Sequence, residues 1–268
     1  MKYALGITLF NPSNDQLNRI YSYVEHFDII FVYDNSKERI INNFNTKKII
    51  YLHNGKNDGL CKAFNFIIKK CFENNIRFLC TLDQDSYLSK DSITGIKSFI
   101  EKKNDRIAIV APRIIYAHKQ DKKFNSEKVI FKNWVICAGS FIDLQIIQNE
   151  GMKYDEYYFL DRFDQDLCTE FRKKNYKIAQ LNDNVLYQEL GYKKNNFSNH
   201  SALRHYFIAR NRLYYNNKNF KGFKTIVKTV LQSLYHIYQV IFYEDNKVKK
   251  IIAIKSGIED YIKYKKSL

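Results

Sequence analysis

The chain has 268 residues, 45% of them hydrophobic, enough to bury the core of one large α/β domain or two small ones, which excludes a disordered protein. Lys and Arg outnumber Asp and Glu by 44 to 28, and the formal net charge of +16 asks for an anionic partner: nucleic acid, an acidic membrane surface or a phosphorylated substrate. Nine glycines and two prolines exclude collagen-like and proline-rich architectures, and five cysteines never spaced C-x-x-C disfavour a disulfide framework or zinc ribbon.

The chain opens on Met1-Lys2-Tyr3-Ala4-Leu5-Gly6-Ile7 and soon meets Asn11-Pro12, an apolar run too short for a signal peptide. No later stretch reaches the roughly 18 uncharged apolar residues that a spanning helix needs. The expectation is a reduced, cytoplasmic protein held peripherally at the inner face of the plasma membrane. Apolar runs rich in β-branched and aromatic residues recur at Tyr3–Phe10, Asp28–Tyr33, Lys48–Leu52, Arg77–Leu82 and Ile107–Pro112, with helical patterns between them. That is the rhythm of βα units feeding a mostly parallel sheet.

The second run passes into Tyr33-Asp34-Asn35-Ser36, polar residues able to contact a ribose or base, or simply an Asx turn closing the strand. After the third comes the loop Asn54-Gly55-Lys56-Asn57-Asp58-Gly59, opening a helix in which Leu60, Phe64, Ile67, Ile68, Cys71 and Phe72 share one face behind Asp58 as N-cap. The free N–H groups of a helix start favour anions, although two glycines before a helix are also ordinary turn chemistry. The fourth run ends in Asp83-Gln84-Asp85-Ser86. Carboxylates at the carboxyl edge of a sheet lie where open α/β folds bind ligands, and their hard oxygens suit Mg²⁺ or Mn²⁺ shared with substrate phosphates; a solvated turn is the bland alternative.

Past Pro112 the rhythm changes. A polar, basic insert from His118 to Lys132 precedes a strand-like stretch, Trp134–Ile142, and an acidic-aromatic segment, Tyr154–Asp166, that reads as a second half-site on the same sheet. Asp161, Asp164 and Asp166 fall within six residues beside aromatic neighbours. Partial burial among like charges raises a carboxylate toward the pKa of a useful general base, while acidic residues are equally at home in the first turn of the helix expected to run to Arg172. From Ser201 onward 14 Lys and Arg face 4 Asp and Glu, so +10 of the +16 sits in the last 68 residues. There Phe223, Ile226, Val227, Val230, Leu231, Leu234, Tyr238 and Ile241 form one stripe of a basic amphipathic helix within Phe220–Tyr243, beside Lys221, Lys224 and Lys228. Such a helix either lies on an anionic membrane or packs on the domain with a solvated lysine face.

In order and spacing, Tyr33-Asp34-Asn35-Ser36, the Asn54–Asn65 loop, Leu82-Asp83-Gln84-Asp85-Ser86, Ala138-Gly139-Ser140 and the Asp161–Asp166 block resemble glycosyltransferase family 2, and within it the rhamnosyltransferase-like branch. The resemblance covers roughly residues 3–215, and Arg204-His205-Tyr206-Phe207-Ile208-Ala209-Arg210-Asn211 with Tyr214-Tyr215 resembles that branch's closing segment. It implies an α/β fold of the GT-A type, with a Rossmann-like, mostly parallel central sheet flanked by helices, over residues 1–215, and a basic amphipathic helical region over 216–268. It also implies donor-binding roles for Thr8, Asp34, Asn54, Asn57, Gly59, Asn65 and Asp83, Mn²⁺ or Mg²⁺ on Asp85 with Asp83, and an acceptor side at Gly139, Ser140 and Arg210. Asp164 aligns with the base that takes the acceptor hydroxyl's proton in a single inverting displacement, with Asp161 and Asp166 as rivals. One departure stands out. Many relatives carry a metal-binding histidine where Tyr187-Gln188-Glu189-Leu190-Gly191 places Gln188, and glutamine offers a carbonyl oxygen but is a poorer ligand than imidazole. Either the metal is held more weakly, with Glu189 or His200 substituting, or the activity is altered or lost.

The implied substrates are a nucleoside diphosphate sugar, carrying rhamnose or a hexose, and a hydroxyl of a surface polysaccharide or lipid-linked oligosaccharide. Two other readings compete. A nucleotidyltransferase also needs acidic metal ligands on an α/β sheet, but no glycine-rich phosphate loop stands near the N-terminus. A nucleic-acid-binding protein fits the charge and the 21 Tyr and 20 Phe as stacking platforms. Its charge would lie along a recognisable motif rather than in a tail, so no nucleic acid is expected.

Overall fold

The computed structural model describes residues 1–40, 44, 46–103, 106–116, 127–189, 193–194 and 197–267. β1 (Tyr3–Leu9), β2 (Ile29–Asp34), β3 (Ile49–His53) and β4 (Phe78–Asp83) begin and end within one residue of the apolar runs, separated by α1 (Asn14–Tyr21) after β1 and α2 (Gly59–Glu73) after β3. They pair in parallel in the order β3-β2-β1-β4, so strand order reverses at β1 and the carboxyl ends line up, with Thr8 opposite Asp83 and Leu9 opposite Asp34. That reversal is the crevice in which open α/β sheets hold ligands.

The second half of the sheet is mixed. β5 (Ser86–Leu88), α3 (Lys90–Lys102), β6 (Ile107–Tyr116), β7 (Val129–Phe131), β8 (Ser140–Asp143), α4 (Leu144–Asn149), α5 (Phe163–Lys173) and β9 (Lys177–Gln188) follow in sequence. β8 lies antiparallel between β4 and β6, while β9 runs parallel to β6 and carries β5 and β7 antiparallel on it. The register of β6 on β9 slips between Pro112 and Arg113, and beyond the irregularity the end of β9 pairs with β5. A two-stranded ribbon, β10 (Lys193–Lys194) and β11 (Phe197–Ser198), leads into the C-terminal helices.

Side-chain alternation along β1 sorts two cores. Ala4 faces the cluster under α2 and α5, whereas Tyr3, Leu5, Ile7 and Leu9 face the one under α1 and α3. Gly6 lies on the Ala4 face, where a Cβ would stand 3.1 Å from Ile67, so small residues let α2 settle close to the sheet.

Three expectations change. The strand-like stretch Trp134–Ile142 becomes a ladder strand only from Ser140, because Gly139 takes φ 73° and donates to Thr81 while the Ser140 hydroxyl turns back to the Ile136 carbonyl. Asp58 precedes α2 but makes no side-chain cap; its carboxylate accepts from Tyr33 Oη and Asn54 Nδ2 instead. Of the basic insert only 127–132 is described, contributing β7; residues 118–126 lie outside the described residues.

α6 (Ala202–Asn219), α7 (Phe223–Tyr243) and α8 (Lys247–Lys266) close the chain. The boundary expected after residue 215 falls inside α6. α8 packs along α6, where Gly257 lies so near the Tyr206 carbonyl that a Cβ would sit 2.4 Å from that oxygen. α7 instead leaves its apolar stripe open: Phe223 is 79% exposed, and Ile226, Leu231, Leu234 and Phe242 are exposed with it. Among the described residues no helix is long and apolar enough to cross a membrane.

Candidate active site

A cleft of about 710 Å³ opens over the carboxyl ends of β1, β2 and β4. Thr8, Asn35, Asp83 and Asp85 line it below, Asn57 and Gly59 on the α2 side, and Asp161 and Asp164 across from them. The residue between the two strand-end carboxylates sets their placement. Gln84 accepts from the Phe10 N–H at 2.7 Å and donates to the Phe10 carbonyl at 3.2 Å, extending the β1–β4 pairing by one side chain. On the other flank the Asp85 carbonyl accepts from the Glu189 N–H, so the turned end of β9 borders the site.

Asp83 is pushed up to about 7, first by burial and then by Asp85 and Asp164. Asp85 is also raised, again chiefly by burial. Asp164 begins α5 and its own burial lifts it to about 6, with the Gln165 N–H, donating to its Oδ1 at 2.8 Å, pulling the other way. A floor of destabilised carboxylates is the state a divalent cation or a proton relieves. Asp83 and Asp85 offer hard oxygen ligands of the kind Mg²⁺ and Mn²⁺ take beside phosphate oxygens, so the donor set fits such an ion. Among the described residues no three His, Cys, Asp or Glu side chains gather closely enough to complete a metal site by themselves. Gln188 and His200 both line the cleft; burial drives His200 down to about 4, leaving a neutral imidazole. Glu189 turns away to Arg19, and Leu190–Gly191 lie outside the described residues.

The structure separates the rest of the sequence-derived set into lining and support. Asp34 is fully buried below the cleft, accepting from the Ser36 N–H and from Tyr51 Oη, and Asn35 takes the lining position beside it. Asn54 braces Asp58, while Asn65 clamps the Tyr154 backbone through both its amide atoms. Gly59, at φ 76°, carries the crossing Phe159 chain: a Cβ there would stand 2.6 Å from the Phe159 ring, and the Leu60 N–H donates to the Phe159 carbonyl. The α2 loop and the acidic block are thus one assembly.

Within that block the three carboxylates part company. Asp161 holds Arg204, Asp164 faces the cleft, and Asp166 is buried against Lys218 at 2.7 Å and Tyr158. Gly139 and Ser140 lie below the cleft lining, with Gly139 packed against Pro112 and Leu186. Arg210 is a pillar, its guanidinium 4.6 Å from the Tyr157 ring centroid and bonded to the Tyr157 carbonyl. Next to it Asn211 donates to the carbonyls of Leu160 and Asp161 and so anchors the block. Asn211, Arg204 and Gln84 each act on a partner remote in sequence, so no local pattern shows their tasks. Trp134, nearly half-exposed on the cleft wall, carried no pattern that would mark it.

A model described as Glycosyl transferase family 2 matches residues 14–166. Over 96% of its length the chain is 25% identical to the dTDP-rhamnosyl transferase RfbF of Shigella flexneri, covering 95% of that relative. Among solved structures, S. aureus TarS 1–349 in complex with UDP-GlcNAc matches with a TM-score of 0.61 at 13% identity, over 98% of this chain and 81% of that one. GalNAc-T7 with UDP, GalNAc and Mn²⁺ matches with a TM-score of 0.58 at 12% identity, over 80% of this chain and 51% of that one. The fold is the GT-A arrangement of these neighbours.

Proposed function

The chain belongs to glycosyl transferase family 2, and on that premise we propose that it is an inverting enzyme moving rhamnose from a dTDP-linked donor to a hydroxyl of a surface glycan or lipid-linked oligosaccharide. The nucleotidyltransferase and nucleic-acid readings give way to that family. The observation that carries the proposal is Asp164, a half-buried carboxylate raised to about 6 that opens into the same cleft as the strand-end pair Asp83 and Asp85.

In this reading the donor's nucleoside lies along Thr8, Asn35, Asn57 and Gly59, and its diphosphate over Asp83 and Asp85. Asp34, Asn54 and Asn65 serve the donor side indirectly, by holding the strand end, the loop and the α2 clamp in place. Asp85 with Asp83 would hold Mg²⁺ or Mn²⁺, which when bound neutralises charge on the diphosphate. Asp164 takes the acceptor's proton as that oxygen attacks the anomeric carbon. A carboxylate near 6 is ionised at neutral pH yet basic enough to accept the proton. The direct test is to incubate the full chain and Mn²⁺ with dTDP-rhamnose and a panel of UDP-sugars. Saturable dTDP release from dTDP-rhamnose is expected, and release from UDP-sugars alone would overturn the donor assignment.

The partner surface is part of the same proposal. The open stripe of α7, with Lys221, Lys224 and Lys228 at its start, supports peripheral attachment to an anionic bilayer, at the cytoplasmic face where a lipid-linked acceptor would be met. Each lysine near anionic lipid contributes on the order of 1 kcal/mol before screening. Vesicles rich in anionic lipid should therefore sediment the protein at low salt, release it as salt rises, and leave it free when neutral. Replacing exposed Ile226, Leu231 and Leu234 together with serine should abolish sedimentation with the melting temperature unchanged. Salt-independent binding, or none by the wild type, would remove the membrane from the proposal.

A further inference from the structure

We infer that Arg204 is the diphosphate-binding cation of this cleft, a catalytic residue that contacts the departing nucleoside diphosphate; the inference rests on the donor reading above. The need for such a group is set by charge. A chain of net +16 has a cleft lined by four carboxylates, Asp83, Asp85, Asp161 and Asp164, and a nucleoside diphosphate brings more negative charge into it. Among the described residues lining the cleft the fixed cations are Arg162 and Arg204, since His200 is neutral. Arg162 is committed elsewhere: it donates to Gln165 and its guanidinium lies over the Tyr215 ring.

Arg204 is held ready. It stands in the first turn of α6, where Ser201 caps the helix by accepting the Arg204 N–H. Its Nη2 and Nε donate to the two oxygens of Asp161 at 3.0 and 3.3 Å, a two-point grip that fixes the guanidinium plane. Asp161 is itself fixed, at φ 60° with its carbonyl bonded to Asn211. The grip leaves Arg204 Nη1 without a partner among the described residues, and the side chain is 43% exposed. It lines the same cleft as Asp83 and Asp85, over which the diphosphate would lie.

During transfer the bond between the anomeric carbon and the diphosphate oxygen breaks and its electron pair stays on that oxygen. The acceptor oxygen forms the new bond, and its proton passes to Asp164. The diphosphate gains one negative charge, which the Arg204 donors meet without reorganising. With Gln188 replacing the histidine expected among relatives, this cation provides charge that an imidazole ligand does not.

The test is titration calorimetry of the full chain with dTDP, dTMP, UDP and UMP, in Mn²⁺ and in EDTA. Arg204→Gln should weaken the tighter-binding diphosphate about 10- to 100-fold in either medium, while the matching monophosphate changes less than about 2-fold. Arg204→Lys should recover part of the loss as a point charge. Asp161→Asn, which breaks the ion pair but keeps the cation, should leave diphosphate binding at least as tight. Equal losses for monophosphate and diphosphate, or the same loss in Asp161→Asn, would make Arg204 only a staple of α6 and overturn the inference, as would unchanged binding by Arg204→Gln. If the wild type binds no nucleotide at all, the donor reading falls and takes this inference with it.

Discussion

Replacing Asp164 with asparagine should yield a folded enzyme that binds donor normally and turns over about 10²–10⁴-fold more slowly. Asparagine keeps the shape and retains an oxygen for the Gln165 N–H, so the start of α5 stays as it is. It cannot accept the acceptor's proton. The wild-type pH profile should carry the same signature: with the folded pKa raised to about 6, the base is progressively protonated as pH falls through that value, and kcat/KM should drop about tenfold per pH unit below it. Asp164→Asn should lack that inflection. Asp161→Asn should keep both the pH inflection and the diphosphate affinity, because that carboxylate is committed to Arg204 and takes no proton from the acceptor. Asp166→Asn should act on stability, since Asp166 is buried against Lys218. If Asp161→Asn is the variant that erases the inflection, the base lies one turn earlier.

Much of this site is legible in sequence because strand ends announce themselves. An apolar run that stops at Asp83 or Tyr33 puts the next polar residue at the carboxyl edge, and the parallel register carries Thr8 beside Asp83 without further information. What the run cannot say is which way each side chain turns. Asp34 and Asp166 sit in the same local pattern as Asp83 and Asp164, yet the first is drawn under the cleft by Tyr51 and the second inward by Lys218. Those partners come from a neighbouring strand and from the end of α6, so no local pattern shows them. The stretch Trp134–Ile142 fails for a related reason: its composition suits a strand, but the chain turns before Ser140, whose N–H donates to the Cys137 carbonyl and whose hydroxyl donates to that of Ile136. For α7 the period of the apolar stripe is plain, whereas its exposure depends on α8, which takes the place along α6 that α7 would otherwise fill.

Glu244→Ala should be among the most destabilising single changes in the chain, because Glu244 joins the C-terminal helices to the cleft wall. Its carboxylate accepts from Lys250 at 2.7 Å, from His205 Nε2 at 2.9 Å and from the His200 N–H at 3.1 Å, all with Glu244, Lys250 and His205 buried. The ionised acceptor fixes the tautomers: His205 carries its proton on Nε2, so its Nδ1 accepts from His236 Nε2, and His236 Nδ1 is left a buried acceptor without a partner among the described residues. Burial holds both imidazoles below their ordinary pKa, His236 down to about 3, so Lys250 and Glu244 are the charged pair in direct contact at the centre of the network. Removing the negative one leaves the buried Lys250 ammonium with the neutral Asn199 amide oxygen in place of its counter-charge, a loss worth roughly 3–5 kcal/mol. For a chain of this size that lowers the melting temperature by about 10 °C. The double change Glu244→Gln with Lys250→Met should recover most of the drop, since a buried pair replaced as a pair costs little. Differential scanning calorimetry of the wild type and the two variants decides it. A fall of less than about 2 °C in Glu244→Ala would mean that water reaches Lys250 and that α8 is held to α6 by apolar packing alone.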